Sequence, residues 1–535
     1  MTSVPASIET VKRKIYRTSA SNRNALYDSH IYWSQKPYNI CDILIESFSE
    51  KGDLVFDPFL GSGVTLLEAI SSRYQRRAVG CELNEAPLFI VRTLLEDYDP
   101  QTYQEAAADF LSKIRPLLRY YETECPYCGS RGIVTSVVFD KDGRDADMKL
   151  KRINYRCSCD TKRTKPGDQK DLAAMNIRYH IRHIDDMTLI PNSKLAVYEN
   201  EPISQIFTGR NFAVLDEIVG IINGLGQYRD LFRYLLMSVL HLCKITDLHS
   251  NSQWPLWIPK TDCVEKNVID LLEKKVKKFA ATIAYLNEHY RDRAEYRLLH
   301  KGSQHITEED IPNGSVQLII TDPPYLGQVA YSEYMQLYKP FLGLSFDLED
   351  EIVVSSAPSR SKDEADYFSQ LDRVFGICGD KLRENGYFCM YFHDSSLEVW
   401  NRLISSLSGH RLTYLGQAHI AKSNTLKNII SPKKSLNGDC VLFFRKTGSD
   451  IPLPQGNEPL EQIERRIISR ARALLRKQGA LSTPELYDKG LMELLIRNGW
   501  LAPVSKRYKS LVEIFEKYFK WDAALAKWKN ENPDA

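Results

Sequence analysis

Leu54-Val55-Phe56-Asp57-Pro58-Phe59-Leu60-Gly61-Ser62-Gly63-Val64-Thr65-Leu66-Leu67-Glu68-Ala69 reads as a strand, a glycine turn and a helix. Glycines at 61 and 63 let the backbone pass close to a ligand where a Cβ would collide. The helix that follows points the positive end of its dipole at that loop. A second strand-like run, Arg77-Ala78-Val79-Gly80-Cys81-Glu82, ends in an acid 25 residues after Asp57. That spacing suits a carboxylate gripping a ribose diol in a Rossmann-like βαβ unit. Asp57, Pro58, Phe59, Gly61, Gly63 and Glu82 are therefore the candidate cofactor-binding residues.

A second motif lies far downstream. The apolar run Val316-Gln317-Leu318-Ile319-Ile320-Thr321 ends in Asp322-Pro323-Pro324-Tyr325. Two prolines stiffen the turn, Asp322 supplies a carboxylate, the Pro323 carbonyl can share its space, and Tyr325 offers a flat ring. Two acceptors that bind the protons of an aromatic amine can turn its lone pair toward an electrophile, which is transition-state rather than ground-state binding.

These residues resemble the S-adenosylmethionine-dependent DNA amino-methyltransferases of the N6-adenine/N4-cytosine family, most of all the zinc-ribbon-bearing adenine-specific DNA methylases. The matching stretches are DPFLGSG at 57–63, GCELN at 80–84, TDPPY at 321–325, YSEY at 331–334, SHIYWSQKP at 29–37, FTGRN at 207–211 and NGDCVLFFRK at 437–446. The resemblance spans roughly residues 25–446. It implies a Rossmann-like methyltransferase core, S-adenosylmethionine in the glycine-loop half, and a flipped base at Asp322, Pro323, Pro324 and Tyr325, the catalytic set. It also places the segment of His30 and Lys36 near the methyl donor, and adds Lys36 to the cofactor-binding set.

Composition bounds the rest. A chain of 535 residues is too long for one ordinary core, so two to four domains are expected. A hydrophobic fraction of 43% and a charged fraction of 26% are those of a globular protein. Net charge is only +2, so any attraction to nucleic acid must come from a local basic face. No apolar run approaches a membrane span and the N-terminus lacks an apolar signal core, so a cytoplasmic protein without membrane contact is expected.

The fold class expected is α/β. Strands at Arg297–Lys301, Val316–Thr321, Gly386–Phe392, Arg411–Leu415 and Cys440–Arg445 alternate with helices such as Ala365–Leu382 and Leu397–Leu407, which argues a mostly parallel sheet. More than 200 residues then separate its second and third strands, and must themselves be folded. The expected division is 1–120, the donor half of the core; 121–170, a zinc ribbon; 171–295, a helical insertion suited to target recognition; 296–446, the catalytic half; and 447–535, a polar Pro/Gly linker over 447–460 with a C-terminal helical domain. For that last domain two readings stand, a winged-helix-like module and a helical appendage packed on the core or on another subunit.

Cys125-Pro126-Tyr127-Cys128-Gly129 and Tyr155-Arg156-Cys157-Ser158-Cys159 hold two close cysteine pairs, with 28 residues between the pairs. Cys125, Cys128, Cys157 and Cys159 suit a tetrahedral thiolate Zn²⁺ site, structural because four ligands leave no open position. A redox dithiol or unliganded thiols are the alternative. Residues 141–170 hold ten Lys/Arg against five Asp/Glu, so the ribbon either follows a phosphate backbone or is a solvated charged hairpin. The expected activity is methyl transfer to adenine N6 in double-stranded DNA. Its partner is either a restriction endonuclease or another subunit of a defence system. Asp322 leans toward adenine because cytosine-N4 relatives can carry Ser there. An RNA guanine-N2 methyltransferase and a non-catalytic DNA-binding subunit are the more distant alternatives. His393, at the end of a core strand, is either a proton acceptor or a satisfied polar residue.

Overall fold

The computed structural model describes residues 7–141, 147–250, 254–326, 329–355, 357, 360–392, 394–420, 438–448 and 456–530. Part of the expected linker, residues 449–455, and His393 lie outside them. The core is one seven-stranded sheet built from β1 (Leu54–Asp57), β2 (Arg77–Glu82), β3 (Tyr296–His300), β4 (Val316–Thr321), β5 (Leu382–Phe392), β6 (Leu412–Ile420) and β7 (Asp439–Lys446). Their order across the sheet is β6-β7-β5-β4-β1-β2-β3. Strands β1 to β5 run parallel, and β7 is antiparallel to both its neighbours. This is a mostly parallel α/β sheet of Rossmann-like kind, as expected.

The central parallel strands are apolar because helices cover both faces, whereas β3, at the sheet edge, is only partly buried. Val316–Thr321 is buried at every position. The chain leaves β1 in one direction for β2 and β3, and re-enters on its other side at β4. Ligands in open α/β sheets sit outside the carboxyl ends of the strands at such a reversal. Here those ends are Asp57 of β1 and Thr321 of β4, which pair through Phe56 and Ile319.

Between β2 and β3 lies the long insertion. It holds a second, antiparallel sheet in which Lys149–Cys157 pairs with Arg131–Asp140 on one side and Asp160–Lys165 on the other. Arg131–Asp140 also pairs with Cys263–Lys266, so the cysteine-bearing hairpin and the helical stretch behind it share main-chain hydrogen bonds. Helices Gly209–Asn223, Arg229–Cys243 and Val268–His289 follow. The FTGRN stretch is the joint of this insertion. Thr208 caps the helix from Gly209, and Arg210 is buried against Glu265, its Nε 3.2 Å from Oε1. Asn211 donates to the carbonyls of Cys243 and Lys266 and accepts from the Tyr121 hydroxyl at 2.6 Å. Its role in this fold is to brace.

After β7 the chain forms helices Leu460–Gln478, Thr483–Leu486, Met492–Arg497, Leu501–Arg507 and Val512–Tyr518, then a short hairpin of Lys520–Asp522 with Lys527–Lys529. This unit docks on the core through main-chain and side-chain bonds. Leu397 N donates to Lys509 O at 2.9 Å, and the Tyr487 hydroxyl to Ser395 O at 3.2 Å. Asp488 accepts from Gln417 and bonds to His419 of β6.

Candidate active site

The glycine loop leaves β1 at Asp57, whose carboxylate accepts from Phe59 N at 3.0 Å. Gly61 and Gly63 take φ of +51° and +84°, a region that favours glycine. A Cβ on Gly61 would come within 3.0 Å of the Tyr32 ring, and one on Gly63 within 2.4 Å of Val91 Cγ2. The second glycine is thus demanded by packing under the loop rather than by ligand space. Glu82, at the end of β2, clamps the loop from the far side. One of its oxygens accepts from Gly61 N at 3.0 Å, the other from Leu83 N and Asn84 N at 3.0 and 3.2 Å. A carboxylate has about four acceptor positions, so room is left for a diol. Burial pushes Glu82 up to about 7 against these three amides, and pushes Asp57 up to about 7 against hydrogen bonds from Thr65, Phe59 and Thr321.

Asp322 sits one residue beyond β4. Lys36 Nζ lies 2.9 Å from its Oδ2 and 3.1 Å from Asp439 Oδ2. The Tyr325 hydroxyl donates to Asp322 Oδ1 at 2.6 Å and receives from Lys36 at 3.2 Å. Lys36 also lies 5.2 and 5.4 Å from the ring centres of Tyr325 and Tyr391. Burial alone would pull the Lys36 ammonium down, but Asp322 and Asp439 outweigh it and hold its pKa above the ordinary value. Burial lifts Asp322 above the usual carboxylate range, with Lys36 opposing. The Pro324 carbonyl is taken by the Tyr367 hydroxyl at 2.6 Å, which fixes the proline turn to the helix Glu364–Lys381.

One cavity connects the two halves. Lys36, Asp57, Pro58, Phe59, Gly61, Glu82, Asp322 and Pro324 line it. Gly63, Pro323 and Tyr325 do not line it, and Tyr325 is connected to it through its hydrogen bond to Asp322. His30 is packed elsewhere, 3.1 Å from the Tyr234 hydroxyl, and burial drives it down to about 3. The segment just after it does enter the site: Tyr32 stacks on Tyr331 at 6.0 Å and 12°, and both line the cavity. Sequence reasoning missed Asp439, Tyr32 and Gln35. The signal for Asp439 was an acid opening the otherwise apolar run Cys440–Phe444.

The wall suits a ligand with several polar groups. Gln35 Nε2, Gln304 Oε1 and the Tyr391 hydroxyl are buried there without a hydrogen-bond partner among the described residues. Buried polar atoms are ordinarily paired. S-adenosylmethionine, with a base, a diol and an amino acid end, fits such a set.

The four cysteines also come together. Cys125, Cys128, Cys157 and Cys159 place their sulfurs within 4.8 Å of one another. Cys125 Sγ is 3.5 Å from Cys157 Sγ and 3.8 Å from Cys159 Sγ. Zinc–sulfur arms of about 2.3 Å give tetrahedral edges of about 3.8 Å, so these spacings fit a zinc ion. The 2.9 Å between Cys157 and Cys159 would open on metal binding.

Comparison with known proteins agrees with the first half of the core. A family model described as DNA methylase, of the N6/N4 amino-methyltransferase type, matches residues 8–90, which hold the Lys36 segment and the glycine loop. That match supports an enzyme of DNA methylation that uses S-adenosylmethionine, without distinguishing adenine from cytosine. No curated protein matches the chain. A solved Listeria monocytogenes chain, provisionally described as a class I S-adenosylmethionine-dependent methyltransferase, is similar at 14% identity, over 35% of this chain and 45% of that one, with a TM-score of 0.18. Among the described residues no helix is long and apolar enough to cross a membrane.

Proposed function

We propose that the protein transfers a methyl group to the N6 amine of adenine in double-stranded DNA. The observation that carries this reading is the shared cavity between the Gly61–Glu82 clamp and Asp322. Bound S-adenosylmethionine would supply the methyl as an electrophilic sulfonium group. Glu82 and Asp57 would hold it, the first through the ribose diol, with the loop at Gly61 against its polar edge. The target base must leave the stack, at a cost of roughly a few kcal/mol.

Asp322 then accepts a hydrogen bond from the base amine, and Tyr325 yields the carboxylate oxygen to which it now donates. Lys36 keeps Asp322 ionised against its burial. Two carboxylates, Asp322 and Asp439, face one ammonium, so the cluster retains net negative charge where positive charge grows on nitrogen, which favours the transition state. After transfer the nitrogen is cationic and acidic, and loses its proton to water. The four cysteines would hold a structural Zn²⁺ that fixes the insertion, and the basic ribbon around it would follow a phosphate backbone.

The test uses labelled S-adenosylmethionine and duplex DNA, with nucleosides separated after digestion. N6-methyldeoxyadenosine is expected. N4-methyldeoxycytidine would move the target base while keeping the chemistry. Label in guanine or RNA, or no transfer at all, would overturn the reading.

A further inference from the structure

The helix Leu460–Gln478 has one apolar face and one strongly basic face. Ile463, Ile467, Ala471, Leu474 and Leu475 are buried in the C-terminal unit. Arg465, Arg466, Arg470, Arg472, Arg476 and Lys477 are all exposed. Of its two acids, Glu464 is engaged by the hydroxyls of Tyr508 and Tyr518 at 3.0 and 3.1 Å. Arg465, Ser469, Arg472 and Arg476 fall on one face at helical spacing and line a single groove with Tyr518. At 1.5 Å per residue the outer two arginines are about 16 Å apart along the axis, roughly five base-pair steps of duplex at 3.4 Å each. In a chain whose net charge is only +2 this concentration is local, and its sign complements a polyanion.

Its place in the fold gives the patch a use. The C-terminal unit is tied to Ser395 and Leu397, just beyond the carboxyl end of β5. That is the sheet edge that carries Asp322, because β4 and β5 are parallel and pair at Thr321 and Met390. Arg470 and Lys477 also border a second groove, whose other wall includes Gln35 and Pro37, the neighbours of Lys36.

We propose that the basic face of Leu460–Gln478 holds the phosphate backbone of the duplex that flanks the extruded base. This rests on the DNA reading of the site above. Arginine suits the role because its planar fork binds phosphate oxygens in pairs.

The experiment measures binding of the full chain to a duplex of about 25 base pairs by fluorescence anisotropy, across a range of KCl. The triple variant Arg465→Gln, Arg472→Gln, Arg476→Gln is compared with wild type and with the Lys triple at the same positions. Each lost phosphate contact lowers the slope of log affinity against log salt by about 0.9. The Gln variant should lose about two to three in slope and bind at least tenfold more weakly near 150 mM salt. The Lys variant should keep the slope, and all three should melt alike and bind S-adenosylhomocysteine alike. An unchanged slope in the Gln variant, beside a wild type that binds and methylates DNA, would overturn this proposal alone. A wild type that neither binds nor methylates DNA, or that shows this salt response only with RNA, would overturn it together with the function above.

Discussion

Lys36 and Asp322 form a buried ion pair, 2.9 Å from Nζ to Oδ2, that joins the segment before the first core strand to the turn after the fourth. Asp439, on β7, is the third member at 3.1 Å. The acceptor carboxylate is thus held by residues 286 and 117 positions away in the sequence (322 − 36 and 439 − 322). Lys36→Met removes the one positive charge of the cluster, and leaves burial and Asp439 to raise Asp322 against the Tyr325 hydrogen bond alone. Turnover should fall at neutral pH and recover in part as pH rises, because the carboxylate regains its charge. Single-turnover rates from pH 6 to 9 check this. A variant with the wild-type pH profile would remove Lys36 from the mechanism.

Donor binding should strengthen with pH. Burial pushes Asp57 and Glu82 up to about 7 in the folded chain, against about 3.9 and 4.3 in unfolded peptides. Between those values the folded chain holds more protons than the unfolded one. Their contribution to stability therefore falls as pH rises from about 4 through 7. A diol donates to the ionised carboxylate, so affinity for S-adenosylhomocysteine should rise between pH 6 and 8, with proton release on binding at the lower end. Calorimetric titration in buffers of different ionisation enthalpy reads both. Equal affinities at pH 6 and 8 would mean that neither carboxylate touches the ligand in a charge-sensitive way.

Metal content should be about one zinc per chain. Cys125→Ser should lower zinc and melting temperature together, because folding of the cysteine hairpin is linked to metal binding. The hairpin pairs with Cys263–Lys266, so the loss should spread into the helical insertion rather than stay local. Metal analysis with thermal melts checks this. Full stability after exhaustive chelation would leave the four thiols without a structural metal.

Arg210→Met should destabilise the protein by about 3–5 kcal/mol, since it leaves Glu265 buried and unpaired. Donor affinity measured below the transition should stay within twofold. A stable variant with impaired donor binding would make the FTGRN stretch part of the site instead of its scaffold.

Much of the core was legible because its signals are local. The strand at Val316–Thr321 is where composition places it, and the helix expected over Leu397–Leu407 runs Leu397–Gly409. Strand ends were less legible. β5 begins at Leu382 rather than Gly386 because Leu382 pairs with Val316 across a shift in register. β6 runs past the expected end at Leu415 to Ile420, paired with β7 along its length, and Asp488 of the C-terminal unit bonds to Gln417 and His419 there. The site followed the same rule. Asp57, Glu82 and Asp322 stand at strand ends and were readable from spacing. Asp439 and the Tyr32–Tyr331 stack depend on pairing of distant segments, for which no local pattern exists.

The central claim is that Asp322 accepts the amine of the base in the transition state. Single-turnover transfer of labelled methyl groups to duplex DNA by Asp322→Asn, with donor affinity measured beside it, tests that claim most directly. S-adenosylhomocysteine affinity should stay within about twofold of wild type and the transfer rate should fall by about 10²–10³, the usual cost of removing one such transition-state contact. A near-normal rate, or a rate loss matched by an equal loss of donor affinity, would contradict it.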